Sequence, residues 1–254
     1  MKKIAQALVF IVLIISFSYC SKEENATEET VKESINKKWI VENSTEFKSI
    51  EFDSNGNYII VKNASNTISK NAKKAEEIFV TGTYDILDTD ILLLSNFGSM
   101  KFDDSDPANV KFSIKYEGSD TYTYELKVTK AAEFTSTLKT DLLCDNTWKF
   151  TKKAPIKDTV NLINFSKAGT CFTNFSITSQ NAGHYIEFGK WKWFDNTETK
   201  IVITQIKSPE WMLDKDGEAE FEITGISKVK LELKEVFKDV AYTIAFDTIN
   251  AGKK

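Results

Sequence analysis

The chain has 254 residues, with 33 basic residues, all of them lysine, against 37 acidic ones and a formal net charge of −4. A mildly acidic protein without arginine lacks the usual footprint for phosphate or nucleic-acid binding, so no nucleic-acid partner is expected. Hydrophobic content of 41% and aromatic content of 12% are ample for a packed core.

The first element is a leader. Lys2 and Lys3 precede an apolar run from Ile4 to Ile15, followed by Ser16-Phe17-Ser18-Tyr19 and then Cys20. A charged start, an apolar middle and a short polar exit read as a secretory signal. An apolar run of roughly a dozen residues is short for a spanning helix. A cysteine at the exit resembles the bacterial lipoprotein signal, in which that cysteine is acylated and becomes the first residue of the mature protein. Tyr19 stands where that signal usually has a small residue. The resemblance implies a signal peptide over residues 1–19 and lipidation, palmitate included, at Cys20. It also implies an outer-membrane anchor with the folded part on the periplasmic or the cell-surface face. Several acyl chains suffice as an anchor, at roughly 0.8 kcal/mol per buried methylene. The alternatives are a secreted protein or a simple membrane anchor, with Cys20 incidental.

Residues 20–34 then form the lipidated cysteine and an acidic tether. Beyond Cys20 this stretch has one strong hydrophobe, Val31, and five glutamates, too little apolar surface to fold alone. Its charges keep it extended. An acidic run just after a lipidated cysteine resembles the surface-export signal of some Gram-negative lipoproteins; the alternative is a solvated linker.

From Ile35 onward the pattern changes to short runs of alternating apolar and polar residues, split by Asn, Asp, Gly and Ser. Examples are Ile50-Glu51-Phe52, Tyr58 to Val61, Lys111 to Ile114, Tyr122 to Val128 and Lys230 to Leu233. Alternation over such lengths predicts strands, and the spacing suits an antiparallel meander. Asn55-Gly56 predicts a hairpin turn in which both residues accept positive φ. Residues 64 to 77 break the pattern and predict a long loop or one small helix over a barrel mouth.

The second half repeats the first. Trp39 matches Trp148, the Phe52–Gly56 hairpin matches Phe165–Gly169, Gly82-Thr83-Tyr84 matches Gly189-Lys190-Trp191, and Phe112 and Ile114 match Phe221 and Ile223. The offsets are 109, 113, 107 and 109. Such near-constancy predicts two homologous β domains in tandem, over 35–133 and 134–254, with a seam near residues 131 to 140. Each has a short helical lead-in: Thr30 to Glu33 has capping-box spacing, and Leu138, Leu142 and Leu143 are expected on one helical face.

These landmarks carry a second resemblance. A Trp on the first strand, a Phe-x-x-x-Gly hairpin, a Gly-x-Trp/Tyr strand, an Ile-rich strand and a final Leu-x-Leu strand resemble the lipocalin-like domains of bacterial lipoproteins. The residues are Trp148, Phe165, Gly169, Gly189, Trp191, Ile201, Ile203, Leu231 and Leu233 in the second domain. In the first they are Trp39, Phe52, Gly56, Gly82, Tyr84, Leu92 and Leu94. The resemblance implies an all-β fold of two tandem antiparallel meander barrels. An eight-stranded barrel has an interior that is either filled by side chains or holds one small ligand.

Candidate ligand-binding residues are Trp191 and Trp193 on one strand face, Trp211 in a loop-like context, and Tyr84 as the first-domain counterpart of Trp191. Their alternative role is core packing, since buried aromatics dominate small β cores. Cys144 and Cys171 lie near the same end of a meander, and lipocalin-like domains often carry a disulfide in this region. The resemblance therefore offers a Cys144–Cys171 bridge, worth roughly 3 kcal/mol if made, against two buried thiols.

Catalysis finds little support. His184 is the single histidine and has no motif partner or second histidine for a metal. Asp103 to Asp106 and Asp214 to Asp216 lack the ligand spacing of a known calcium loop and read as turns. No catalytic residue, metal or cofactor is expected. The expected function is a membrane-anchored, non-enzymatic lipoprotein binding a small lipid or glycan. The alternative is an envelope module that docks an unknown protein partner through filled, cavity-free barrels.

Overall fold

The structure, a computed structural model, describes residues 34–63, 77–152, 159–177, 184–205, 217–237 and 240–249. Cys20, the acidic tether up to Glu33, the first lead-in expected at Thr30 to Glu33, residues 64 to 76, Trp211 and Asp214 to Asp216 lie outside them. Among the described residues no helix is long and apolar enough to cross a membrane. The chain divides between Lys130 and Ala131 into two compact units.

The first unit is a closed eight-stranded barrel in simple chain order. Its strands are β1 (Lys38–Val41), β2 (Phe47–Phe52), β3 (Asn57–Asn63), β4 (Glu77–Asp88), β5 (Ile91–Leu94), β6 (Gly98–Asp103), β7 (Lys111–Tyr116) and β8 (Tyr124–Lys130). Every neighbour is antiparallel, and β8 returns to β1 through Trp39↔Lys130 and Val41↔Val128. Two strands belong to both walls. In β4, Glu77 to Thr83 pair with β3, whereas Tyr84 to Asp88 pair with β5. In β8, Tyr124 to Lys127 pair with β7 and Val128 to Lys130 with β1. Closure of this kind leaves no sheet edge open.

The second unit repeats this plan with β9 (Thr147–Lys152), β10 (Thr159–Phe165), β11 (Thr170–Ile177), β12 (His184–Trp193), β13 (Lys200–Gln205), β14 (Glu218–Ile226), β15 (Lys230–Phe237) and β16 (Val240–Thr248). It closes through β16 and β9, at Thr248↔Trp148. The all-β fold of two tandem antiparallel meander barrels is therefore as expected.

Equivalent residues make equivalent bonds. The Tyr84 N–H donates to the Gly56 carbonyl at 2.7 Å, and the Trp191 N–H donates to the Gly169 carbonyl at 2.8 Å. Trp39 Nε1 donates to the Ile35 carbonyl at 3.2 Å, and Trp148 Nε1 to the Leu143 carbonyl at 2.9 Å. The first three sequence landmarks thus fall on matching strands. The fourth does not. Phe112 and Ile114 lie on β7, the seventh strand of its barrel, whereas Phe221 and Ile223 lie on β14, the sixth of the other. Strand order makes β15 the counterpart of β7. Leu231 and Leu233 on β15 are buried, as Phe112 and Ile114 are. The Leu-x-Leu strand is also not the last; β16 is.

Two local expectations change. The β2–β3 connection uses four residues, Asp53 to Gly56, closed by the Gly56 N–H to the Asp53 carbonyl at 3.3 Å. Only Gly56 takes positive φ (+81°), so this is a turn ending in a left-handed glycine rather than a two-residue hairpin. Gly169 is the same in the second barrel, at +79°. The second lead-in is the helix α1 (Leu138–Cys144), N-capped by Thr137 through the Thr140 N–H. Its buried face is Thr140 and Leu143, which are three residues apart. Leu138 lies off that face and is 77% exposed.

Candidate functional site: the open end of the first barrel

The interior of the first barrel is filled near its lead-in. Trp39, Phe52, Phe102 and Phe112 stand 5.0–5.9 Å from one another as ring pairs, and Phe52 meets Tyr84 edge-on at 5.1 Å. Buried Ile35 and the Ser34 hydroxyl, 2.6 Å from Asp104, finish this end. A polar cleft of about 430 Å³ lies here. Its polar groups bond one another: Lys101 pairs with Asp90 at 2.9 Å, and Asp103 accepts from the Ser105 hydroxyl at 2.7 Å.

The opposite end differs. Here β2, β4 and β8 begin and β3 and β7 end. Side chains alternate across each strand, so residues in step with the core point inward. On β4, Val80, Tyr84 and Ile86 pack into the core, which places Ile78 on the inward side. On β8, buried Leu126 and Val128 do the same for Tyr124. Yet Ile78 is 48% exposed and Tyr124 is 39% exposed. They are inward-pointing groups at an uncovered rim among the described residues.

Three rings wall this rim. Phe47 and Tyr124 meet at 5.8 Å, and Tyr116 and Tyr124 at 5.8 Å, both edge-on. Lys62, paired across β3–β4 with Ile78, lays its ammonium over Phe47 at 5.1 Å and over Tyr116 at 5.7 Å. Its Nζ also reaches Glu46 Oε1 at 2.7 Å, and the Tyr116 hydroxyl donates to the same oxygen at 3.0 Å. Burial opposes ionisation of Glu46, but hydrogen bonds from Lys62 and Tyr116 outweigh it and hold the carboxyl below its usual range. Burial, and then the Glu46 carboxylate, push the Tyr116 hydroxyl up. The result is an aromatic rim whose rings face one ammonium, Lys62, held by one carboxylate, Glu46.

The candidates drawn from sequence lie elsewhere. Tyr84 is 5% exposed and shares its hydroxyl between Asn36 Oδ1 at 2.7 Å and the Asp53 carbonyl at 3.0 Å. Trp191 is 2% exposed, donates Nε1 to the Ser166 carbonyl at 2.8 Å, and packs against Phe134 and Phe165 at 4.7 and 5.7 Å. Trp193 meets Trp191 edge-on at 5.6 Å and donates Nε1 to Thr140 Oγ1 at 3.1 Å, tying α1 to the barrel. These three fill and fasten; Trp211 falls outside the described residues. Cys144 and Cys171 both belong to the core of the second barrel, but as thiols and not as a disulfide. Burial pushes the Cys144 thiol up to about 12. In the first candidate calcium loop, Asp103 to Asp106, two carboxylates cap their own turn, Asp103 accepting from the Ser105 N–H and Asp106 from the Ala108 N–H.

The rim residues come from five strands, β2, β3, β4, β7 and β8, and the turn before β2. The sequence signals that touch them are the alternation from Tyr122 to Val128 and the break after Asn63. No known family model matches the chain, and no curated protein matches it.

Proposed function

We propose that this chain is a membrane-anchored, non-enzymatic lipoprotein of the cell envelope, held at the outer membrane through Cys20, and that its tandem lipocalin-like barrels serve binding. The ligand is small and apolar or sugar-like, and it sits on the rim of the first barrel rather than deep inside. The observation that carries this reading is the pairing of inward direction with exposure at Ile78 and Tyr124. Large apolar side chains aimed at a core are normally covered, and an uncovered group of them marks a contact surface. The five aromatic rings near the lead-in leave the deep interior to side chains.

Titration of the mature chain with 3,3-dimethyl-1-butanol and with a short neutral oligosaccharide, followed by amide NMR shifts, tests the site. Shifts gathered at the rim, and weakened in Ile78→Ser and Tyr124→Ala, support it. Shifts spread evenly over the surface sink it. The anchor is tested by mass analysis of the mature N-terminus, where an unmodified start at Ser21 removes the lipoprotein claim.

The ring-filled interior also favours a second reading, an envelope module that docks another protein. In that case the rim would bind neither small probe and would be covered by a macromolecule.

A further inference from the structure

We propose that the aromatic rim where β3 ends in the first barrel is a cage for a small quaternary ammonium group, and that the Lys62 ammonium occupies the ligand's place. This rests on the reading of the rim as a binding site and names what it binds. Cages that recognise such cations combine several aromatic faces with a nearby carboxylate, because the ring quadrupole attracts positive charge without needing a hydrogen bond. All these parts are present. Phe47 and Tyr116 turn toward one ammonium at 5.1 and 5.7 Å, Tyr124 closes the wall between them, and Glu46 Oε1 lies 2.7 Å from the same charge.

The occupant is displaceable. Lys62 stands on the last turn of residues before β3 ends, on a flexible four-carbon stem, and its side chain is 21% exposed. Swinging it into water exchanges the Glu46 pair and two ring contacts for hydration, contacts that the incoming cation then makes in its place, and it uncovers Phe47, which is otherwise buried. A quaternary ammonium is more weakly hydrated and cannot donate hydrogen bonds, so it gains more than Lys62 from the rings. The Tyr116 hydroxyl remains on Glu46 and keeps that carboxylate aimed into the cage. An anionic ligand fits poorly, because the ammonium that lies over the rings, Lys62, is already held by Glu46.

Calorimetric titration of the mature chain with choline chloride tests this, with 3,3-dimethyl-1-butanol as the uncharged probe of the same shape. Choline is expected to bind about tenfold or more tightly than the neutral probe, as cation–π contacts of this size require. Lys62→Ala should tighten choline binding by removing the internal competitor, and Glu46→Gln should weaken it about tenfold. Lys62→Gln, which keeps the stem, guards against a packing defect, and unchanged thermal melting certifies the folds. Equal binding of both probes, or weaker choline binding in both Lys62 variants, overturns the cage while leaving the rim as an apolar site. Binding of neither probe by any variant overturns both readings. Co-sedimentation with phosphatidylcholine vesicles, against phosphatidylglycerol vesicles, separates a lipid headgroup from a free ammonium compound; either source agrees with the cage.

Discussion

Tyr84 and Trp191 hold the same point in the two barrels: the Tyr84 hydroxyl donates to the Asp53 carbonyl at 3.0 Å, and Trp191 Nε1 donates to the Ser166 carbonyl at 2.8 Å. Each thus clamps its strand to the preceding hairpin turn, through a different polar group on a different ring. The bond, rather than the residue, is what the two halves share.

Removing that bond should loosen one barrel at a time. Tyr84→Phe keeps the ring against Phe52 and loses only the hydroxyl, so a cost of about 1–2 kcal/mol is expected. Trp191→Phe also leaves a void beside Phe134 and should cost more, about 2–4 kcal/mol. Urea unfolding read by amide hydrogen exchange checks this. Faster exchange should stay within β2–β4 for the first variant and within β10–β12 for the second.

The turn glycines offer a graded test. A left-handed conformation costs a side-chain-bearing residue about 1–2 kcal/mol, which Gly56→Ala and Gly169→Ala should both show. An added Cβ would stand 3.4 Å from the Tyr84 carbonyl oxygen at Gly56 but 3.2 Å from the Trp191 carbonyl oxygen at Gly169. Gly169→Ala should therefore lower the melting temperature more, and thermal unfolding of the two variants decides it.

Asp53 predicts a pH dependence. Burial raises its carboxyl above 3.8, against hydrogen bonds from Asn57 and Asn55. The folded chain then holds the proton more tightly than the unfolded chain. Stability from this group is fully present below about pH 3.8 and is lost as pH rises through the higher folded value. Asp53→Asn should remove that decline, which unfolding free energies measured at several pH values from 3.5 to about 7 would register. Glu46 runs the other way. Its lowered value gives stability above about 4.5 that disappears as pH falls, and Glu46→Gln should remove only that part.

The thiols can be counted. With no bridge between Cys144 and Cys171, the denatured chain should show both as reactive thiols without any reductant. In the folded chain Cys144 should alkylate slowly near neutral pH, because a thiol raised to about 12 carries little thiolate. A denatured count lacking these two thiols would mean they are oxidised in the protein.

Much of the fold was legible because strand alternation and turn residues are local. Trp39 and Trp148, or Gly56 and Gly169, could be aligned across the halves because each has one structural task. Phe112 and Phe221 were misaligned because any inward-facing strand reads as Phe-x-Ile, and period two carries no strand number. Leu138 was misplaced because α1 turns Thr140 and Leu143 inward, and Leu138, its first residue, lies off that face. The rim was illegible for a different reason. Glu46, Phe47, Lys62, Ile78, Tyr116 and Tyr124 are spread from the start of β2 to the start of β8, and only closure brings them to one end. The aromatic residues easiest to notice, Trp191 and Trp193, were the ones the core had already taken.

In each barrel the first and last strands are hydrogen-bonded neighbours. A copied gene segment encoding such a unit therefore begins and ends at adjoining points in space. It can be appended after Lys130 with a connector as short as the residues leading to Thr137, without threading or exchanging a strand. At the matching place on their fourth strands, one unit carries Tyr84 and the other Trp191.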